Sequence, residues 1–242
     1  VHLRKMVRLS HTHGIIFVAR LLAKVLFGFY WYNLFRSGRE FLFQHRRYKY
    51  HYHPFNVTWM SERAVEIPII RNALNDNAGR RCLELGNVLS HYLKIRHDVI
   101  DKHESGKNVT NQDVVDFWSD RKYDLIISIS TIEHVGWDEH LLYRNREPDK
   151  IQRALERLKK LLAPNGQMIV TYPVGYNPHL DEMTDRAELG WSHVYCMKRF
   201  SEDNTWIEVE WSDIRNARYD KPFISANGLV IASYKNIGKR MT

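Results

Sequence analysis

The feature that most constrains this chain is a regular alternation, downstream of residue 55, of short apolar runs and longer amphipathic segments. The short runs have the length of buried strands, whereas residues 61–74 and the segment that opens at Pro148 carry apolar side chains at helical spacing. The predicted strands are 81–85, 97–101, 123–129, 167–172, 206–211 and 227–234. Strands interleaved with helices predict an α/β fold with a doubly wound, mostly parallel sheet. The period-two alternation of 206–211 predicts an antiparallel edge on the C-terminal side.

Composition narrows the class of protein. A hydrophobic content of 44% supports one sizeable core, and a mean hydropathy of −0.47 excludes a polytopic membrane protein. Cys82 and Cys196 are far apart and neither belongs to a CxxC pair, which argues against a disulfide framework and a cysteine-based zinc site. A reducing, cytoplasmic compartment is therefore expected. No cluster with metal-ligand spacing is evident in the sequence, so we expect a metal-independent protein.

The positive charge is concentrated near the N-terminus. Residues 1–49 contain ten Lys/Arg and a single acid, Glu40, which gives this segment a charge of +9, whereas the net charge of the whole chain is +8. The remainder of the chain is therefore close to neutral, at −1. This asymmetry predicts an anionic partner surface, either a membrane or a nucleic acid.

Residues 15–35 form an apolar run long enough to span a bilayer, but Arg20 and Lys24 interrupt it on one helical face. The cost of burying these charges favours an amphipathic helix that lies in the membrane interface. A helix packed on the domain or on a second subunit, and a spanning helix, are the alternatives. The aromatic-basic stretch 45–53 suits nucleic acid or a linker at a headgroup surface, and we favour the linker. We therefore predict a basic amphipathic arm over 1–50, peripheral at the inner face of the membrane, and a domain over 51–242.

Polar residues collect where the predicted strands end, which is the edge where open α/β sheets bind ligands. Carboxylates there can accept hydrogen bonds from ribose hydroxyls and from an adenine amine, and a glycine permits close approach of the backbone. A nucleoside cofactor needs this set of groups. The candidates are Glu84, Gly86, Asn87, Asp101, Asp113 with its neighbour Asp116, Ser130, Thr131, Glu133, His134, Gly175, Tyr176 and Asn177.

These residues lie in segments that resemble class I S-adenosylmethionine (SAM)-dependent methyltransferases over roughly residues 60–235. LELGN (83–87) resembles motif I, Asp101 falls at the ribose-binding acid, and the QDV of 112–114 resembles the adenine-side acidic motif. YDLIISISTIEHVGW (123–137) and LKKLLAPNGQMIVTYP (158–173) are similar to the fourth motif and to the helix–turn–strand that follows it. The resemblance implies a Rossmann-like fold and SAM as the cofactor. It implies cofactor contacts from Glu84, Gly86, Asn87, Asp101, Asp113, Ser130 and Thr131.

The sequence departs from that pattern in two places. Gly86 is followed by Asn87 where the family has further glycines, and the interval from Asp101 to Asp113 is too short for the usual helix, so a loop is expected. A catalytically degenerate scaffold at a membrane surface is therefore one alternative function. An NAD(P)-dependent oxidoreductase is a second, disfavoured because the sequence has no GxGxxG and no evident hydride-transfer pair.

Methyl transfer to an alcohol needs a general base, and His134 is the best candidate, with Glu133 beside it. His179, Asp181 and His193 are alternatives from later loops, and Glu133 and His134 could instead simply begin a helix. The expected acceptor is a small molecule or a hydroxyl of a cell-surface saccharide.

Overall fold

A computed structural model of the chain describes residues 15–137 and 146–238. The helices are α1 (Ile15–Phe35), α2 (Arg63–Asp76), α3 (Lys150–Leu161), α4 (Pro178–Asp185) and α5 (Trp211–Ile214). The strands are β1 (Glu40–Phe43), β2 (Arg46–Lys49), β3 (Cys82–Leu85), β4 (Asp98–Asp101), β5 (Val109–Asn111), β6 (Tyr123–Ile129), β7 (Leu162–Pro173), β8 (His193–Arg199), β9 (Trp206–Val209) and β10 (Gly228–Lys235). Short 3-10 helices span Phe55–Met60, Leu89–His91 and Ile132–His134.

The central sheet has the order β5-β4-β3-β6-β7-β10-β8-β9. The strands from β5 to β7 in this order are parallel, whereas β10 is antiparallel to β7 and β8, and β9 is antiparallel to β8. The chain order reverses between β3 and β6, which is the switch point where doubly wound sheets bind ligands. The predicted fold, with its mostly parallel sheet, antiparallel C-terminal edge and N-terminal helix, is confirmed.

Strand β6 lies at the centre of the core, and its alternate side chains serve two layers of helices. Leu125 and Ile127 pack in one cluster with Ile70 of α2. Ile126 points to the other face and packs in a cluster with Leu158 of α3. Because both faces of the sheet are covered, β6 reads as a continuous apolar run, as buried parallel strands do.

A proline inside α2 ties this helix to the segment that precedes it. Pro68 has no N–H, so the carbonyl of Ala64 lacks its helical donor. The N–H of His51 donates to that carbonyl at 2.9 Å. The helix therefore continues through the proline, and the orphaned carbonyl anchors residues 50–53 to the domain.

Two helices start later than predicted. α2 begins after Ser61, whose hydroxyl donates to the carbonyl of Asn56 at 3.4 Å and does not cap the helix. α3 begins at Lys150, after a turn in which the N–H of Lys150 donates to the carbonyl of Glu147. Pro148 therefore lies within that turn and not at the first helical position.

Two strands also differ from their predicted bounds. β9 stops at Val209 because Glu210 caps α5. The side chain of Glu210 accepts the N–H of Asp213, and the N–H of Glu210 donates to the side chain of Asp213. β7 begins at Leu162, before the predicted strand 167–172, and includes Asn165 with φ 63°. Its pairing with β6 shifts register between Tyr123 and Leu125. The interval between Asp101 and Val109 contains no helix, as predicted, but it leads into β5, which was not predicted.

Helix α1 packs on the domain through one face. The indole of Trp59 occupies the space where a Cβ on Gly28 would lie, and its Nε1 donates to the carbonyl of Lys24 at 3.0 Å. Tyr32 is buried in the same cluster as Trp59 and Met60. Among the described residues, no helix combines the length and the apolarity needed to cross a membrane.

The β1–β2 hairpin belongs to the domain. Phe41 and Phe43 pack in one buried cluster with Met197, Trp206 and Leu229. The predicted boundary after residue 50 therefore runs through a packed cluster. The stretch 45–53, predicted as a linker, forms β2 and a part-buried segment instead, because its aromatic side chains have the domain to pack against.

Candidate active site

The loop after β3 contacts the residue that follows Ser130, at the end of β6, through Gly86. This residue has φ +85°, a conformation that L side chains rarely adopt, and its N–H donates to the carbonyl of Ile100 at 2.8 Å. The side chain of Thr131, just after β6, occupies the space where a Cβ on Gly86 would lie. Glycine is therefore required here by conformation and by space.

Glu84 supports the loop from inside the protein. Its side chain is fully buried, and Oε1 accepts the N–H groups of Val88 and Leu89 at 3.0 and 2.8 Å. The second oxygen, Oε2, lies 2.7 Å from His97 Nε2. The structure thus places Glu84 as a capping residue of the 3-10 helix at 89–91, and not on the surface where a cofactor would contact it. A buried carboxylate therefore fixes the backbone of this loop.

Asp101 ends β4 and organises the neighbouring turn. Its Oδ1 accepts the N–H groups of His103 and Glu104 at 2.8 and 2.7 Å, and Oδ2 accepts the N–H of Asn87 at 2.8 Å. A carboxylate has about four acceptor positions. One therefore remains for a ligand at the half-buried Asp101.

Asn87 and Glu104 lie beside the carboxylate of Asp101. The amide Nδ2 of Asn87 donates to Glu104 Oε2 at 2.7 Å, while its buried Oδ1 has no hydrogen-bond partner among the described residues. Glu104 also lies 3.1 Å from His91 Nε2 and is half exposed. Sequence reasoning missed Glu104, although its position in the turn that leaves β4 was a usable signal.

Asp113 forms ion pairs in the structure. Its Oδ2 lies 2.7 Å from Lys150 Nζ and 2.9 Å from Lys102 Nζ, and Oδ1 accepts the N–H of Val115. Burial alone would raise the pKa of Asp113, but the hydrogen bonds from the two lysines outweigh it and lower that pKa to about 2. Asp116, the alternative acid, is exposed.

A second group of polar residues lies where β6 and β7 end. Glu66 of α2 is fully buried, and its Oε1 accepts the hydroxyls of Ser130 and Thr171 at 2.6 Å each. Its Oε2 lies 2.7 Å from Nη1 of Arg63, which is itself largely buried. Ser130 has φ 36°, a strained value for a serine, and this network holds it there. The hydroxyl of Ser130 therefore donates to a carboxylate of the protein itself.

This network forms one wall of a polar cavity of about 230 Å³. The cavity lies beyond the carboxyl ends of β6 and β7, as expected for a ligand site of this fold. Its lining consists of Asn56, Ser61, Glu62, Arg63, Ser130, Glu133, His134, Pro173, Tyr176, Tyr219 and Ser225.

Glu133 is the unusual group in that lining. Its side chain is buried, and Oε2 has no hydrogen-bond partner among the described residues. Burial raises the pKa of Glu133 to about 8, against the attraction of nearby His134, whose Nε2 lies 3.8 Å from Oε1. Burial, followed by repulsion from Glu66, also raises the pKa of Glu62.

His134 links the cavity to the solvent. Its side chain is 44% exposed, and its ring contacts Tyr176 edge to face at 4.8 Å between centroids. Both Glu133 and His134 lie in the 3-10 helix after β6, so the alternative that they begin a regular helix is not what the structure shows.

The other proposed bases lie elsewhere. His193 begins β8, pairs in register with Ser233 and is exposed. Asp181 accepts the N–H of Gly175 at 2.9 Å, and burial raises the pKa of Asp181 to about 6. Neither residue, nor His179, lines the cavity. Over residues 15–137 and 146–238 there is no group of three potential ligands that could hold a metal ion.

No protein-family model and no curated protein sequence matches this chain. The structure is similar to that of N-methyltransferase NodS from Bradyrhizobium japonicum WM9 in complex with S-adenosyl-L-homocysteine, with 13% identity, 70% of this chain and 84% of that one covered, and a TM-score of 0.42. A SAM-dependent methyltransferase from Archaeoglobus fulgidus shares 14% identity over 69% of this chain and 93% of its own, with a TM-score of 0.42. A possible histamine N-methyltransferase from Thermotoga maritima shares 14% identity over 66% and 83%, with a TM-score of 0.41.

Proposed function

We propose that the protein transfers a methyl group from SAM to an acceptor held in the cavity beside Glu133. The observation that carries the proposal is the environment of this carboxylate. It is buried, it has an unpartnered oxygen among the described residues, and it faces a polar cavity two residues beyond Thr131, which contacts Gly86. A carboxylate with a raised pKa at the ligand-binding edge of a doubly wound sheet is typical of a catalytic site.

The residues at the end of β3 and β4 fit a nucleoside cofactor. Gly86 permits close approach, Asp101 retains one acceptor position, and Asn87 Oδ1 has no partner among the described residues. We propose that Asp101 and Glu104 accept the ribose hydroxyls, and that Asn87 and Thr131 border the sulfur end. When bound, SAM supplies an electrophilic methyl group on a good leaving group. The contact of Asp113 with the adenine stays a prediction, because the carboxylate of Asp113 forms ion pairs with two lysines.

The chain's own residues would handle the acceptor's proton. Glu133, with a pKa of about 8, has a substantial ionised fraction just above neutral pH, so it can accept a proton from an acceptor in the cavity. The partly exposed His134 can pass that proton to solvent. The buried network of Glu66 and Arg63 holds Ser130 in its strained conformation and so fixes the wall against which the acceptor is oriented.

The size and lining of the cavity restrict the acceptor. At about 230 Å³ the cavity is smaller than the roughly 300–1,000 Å³ of typical ligand pockets, so it suits a small molecule or the reacting end of a larger one. Glu62, Tyr176, Tyr219 and Ser225 offer hydrogen-bonding groups around it. We propose a hydroxyl acceptor on a small molecule or on a saccharide.

A non-catalytic scaffold is the second candidate. Its specific support is that Glu84 and Asp113, two acids assigned to the cofactor by sequence, are occupied by partners within the protein. Such internal pairing is what a fold that had lost its ligand would retain.

Calorimetric titration with SAM and NADH separates these functions, and two glycines provide a matched pair of variants. Gly86 and Gly79 have nearly equal φ, +85° and +79°, but only Gly86 has a side chain in the way of a Cβ. We expect Gly86→Ala to lower SAM affinity at least tenfold, about 1.4 kcal/mol, and Gly79→Ala to leave it unchanged. Equal affinities in the two variants would remove Gly86 from the site. Binding of NADH alone would indicate an oxidoreductase, and binding of neither ligand a scaffold.

Transfer of labelled methyl groups to a panel of hydroxyl compounds tests the base. We expect Glu133→Gln to keep SAM affinity and to lose transfer by about 10²–10⁴-fold, the usual contribution of a general base. His134→Gln should lose less, because His134 lies at the cavity mouth. Unchanged transfer in Glu133→Gln would show that Glu133 is not the base.

A further inference from the structure

A second cavity, of about 440 Å³, lies between α1 and the domain. Part of its wall is apolar and comes from Leu21, Met60, Phe223 and Ile224. The rest is charged, with three cations, Arg20, Lys24 and Arg199, against one acid, Glu202. Its size is within the range of about 300–1,000 Å³ for ligand pockets. A cavity that is both apolar and net positive fits an amphiphilic anion.

Arg199 is the strongest sign of an anion. Its side chain is buried, yet the hydrogen bonds of its guanidinium go to backbone carbonyls, including those of Met60 at 2.9 Å and Ile224 at 2.7 Å. None of the ion pairs found among the described residues involves it, and the ring of Phe223 lies 5.0 Å away. Glu62, Glu202 and Asp203 attract Arg199 only from beyond ion-pair distance. An anion in the cavity would contact the buried guanidinium directly and so offset the cost of burying it.

The surface of α1 beside this cavity is apolar. Leu26, Phe27, Tyr30 and Leu34 are each more than 60% exposed, on the side of the helix opposite to Tyr32 and the contact with the domain. Trp31, which is 55% exposed, lies near the edge of this face. A continuous exposed patch of this kind marks an interaction surface, and its aromatic residues suit the interfacial region of a membrane.

The charges decide between a lipid surface and a second copy of the chain. The 21 residues of α1 contain Arg20 and Lys24 but no acid. An isologous dimer through this face would bring two identical cationic rims together with no acidic residue of the helix to oppose them. An anionic bilayer is complementary to both parts of the surface, since it offers hydrocarbon for the apolar face and phosphate for the cations.

We propose that α1 rests on an anionic bilayer through its exposed apolar face, and that the adjoining cavity takes the phosphate of one lipid between Arg20, Lys24 and Arg199. The acyl-glycerol part of that lipid lies along Leu21 and Met60. Lys24 already contacts the domain, with Nζ 2.7 Å from the carbonyl of Glu202. Lys24 therefore faces the contact between α1 and the domain, and Arg20 lines the same cavity.

Co-sedimentation of the full chain with neutral phosphatidylcholine vesicles and with vesicles containing phosphatidylserine tests the proposal. We expect binding to the anionic vesicles, and loss of binding in Leu26→Asp/Leu34→Asp. Trp118→Asp/Ile237→Asp is the matched control, because Trp118 and Ile237 are 66% and 82% exposed and lie outside α1. If the α1 variant and this control bind equally, the apolar face is not the docking surface. Circular dichroism verifies that each variant is folded.

A second pair of variants isolates the cavity from the total charge. Arg20→Gln/Lys24→Gln should weaken binding to anionic vesicles about 30-fold, the factor expected for two cations each worth about 1 kcal/mol at an anionic surface. Arg80→Gln/Arg81→Gln removes the same charge from two exposed positions outside α1 and should have a much smaller effect. Equal losses in the two variants would overturn the lipid site. The proposal as a whole would be overturned if the protein did not bind vesicles and instead formed a dimer that Leu26→Asp/Leu34→Asp abolishes. It would also be overturned if the protein did not bind vesicles and instead bound single-stranded RNA.

Discussion

The two halves of the ligand-binding edge treat carboxylates in opposite ways. At the end of β4 and beyond, Asp101 accepts three backbone N–H groups and Asp113 contacts two lysines, so that the pKa of Asp113 falls to about 2. At the end of β6, Glu133 is buried with an unpartnered oxygen, and its pKa rises to about 8. The lowered pKa keeps Asp113 negatively charged at all physiological pH values. The second arrangement creates a group that can gain and lose a proton near neutral pH, as catalysis requires.

Burial alone does not distinguish the two arrangements of carboxylates, as Glu66 shows. It lies close to Glu133 and is equally buried, but it receives two hydroxyl hydrogen bonds and an ion pair from Arg63. The fold therefore supplies donors to both oxygens of Glu66 and leaves one oxygen of Glu133 without a donor among the described residues. The comparison predicts that removing these two acids will change stability in opposite directions.

The largest effect is expected for Glu66→Ala. The substitution leaves the guanidinium of Arg63 buried without its carboxylate and removes the acceptor for Ser130 and Thr171. Breaking a buried pair in this way costs about 3–5 kcal/mol, a large part of the roughly 5–15 kcal/mol that stabilises a typical domain. Urea denaturation at pH 7 measures the loss.

The double variant Arg63→Met/Glu66→Leu is the control. It removes both charges and fills the space with apolar side chains, so it should recover a large part of the stability lost in Glu66→Ala. A loss below about 1 kcal/mol in Glu66→Ala would contradict the idea that this acid is supported by its donors.

Much of the fold could be predicted from the sequence because the central strands are buried on both faces. Strands β3, β6 and β10 appear as short apolar runs between turn residues, and this signal does not depend on their partners. No such run of apolar residues marks β2, which reads RRYK, or β5, which reads VTN. These strands exist because neighbouring strands and the domain offer them pairing and cover, and a single-sequence pattern does not contain that information.

The location of the candidate site could be predicted from the sequence, but the hydrogen-bond partners of its residues could not. Parallel strands bring their carboxyl ends to one edge, so the residues that follow them, Asp101 and Glu133 among them, could be placed there from the sequence. Which donors meet them depends on contacts between distant segments. Thr171 reaches Glu66 across 105 positions of the chain, and Glu66 was read only as part of an amphipathic helix.

The next effect concerns Glu133→Gln, and its sign depends on pH. The folded state raises the pKa of Glu133 from its usual 4.5 to about 8, so the protonated carboxyl stabilises the fold fully below pH 4.5. That contribution is lost as the pH rises through 8. Glutamine resembles the protonated acid at every pH, so the variant should match the wild type near pH 4.5 and exceed its stability at pH 9, by on the order of 2–3 kcal/mol.

Thermal denaturation of both proteins between pH 4.5 and 9 follows this difference. Glu156→Gln is the matched control, since Glu156 is an exposed glutamate of α3 and its replacement should shift the melting temperature by a similar small amount at every pH. A Glu133→Gln protein that is less stable than the wild type at pH 9 would show that this acid has a donor in solution.

The smallest effect, and the opposite sign, is expected for Asp113→Asn. Here the lysines lower the folded-state pKa from 3.8 to about 2, so the ionised form stabilises the fold above pH 3.8, and that contribution is lost as the pH falls through 2. The variant should be less stable than the wild type at pH 7, by about 1 kcal/mol because water partly screens the site, and the difference should shrink between pH 4 and 2.

Urea denaturation at pH 7, 4 and 2.5 measures the difference in stability between Asp113→Asn and the wild type. Adding Lys150→Met should reduce the effect of Asp113→Asn more than adding Lys102→Met does, because the side chain of Lys150 is 5% exposed and that of Lys102 is 33% exposed. If Asp113→Asn and Glu133→Gln changed stability with the same pH dependence, the two halves of the edge would not differ in the way their contacts indicate.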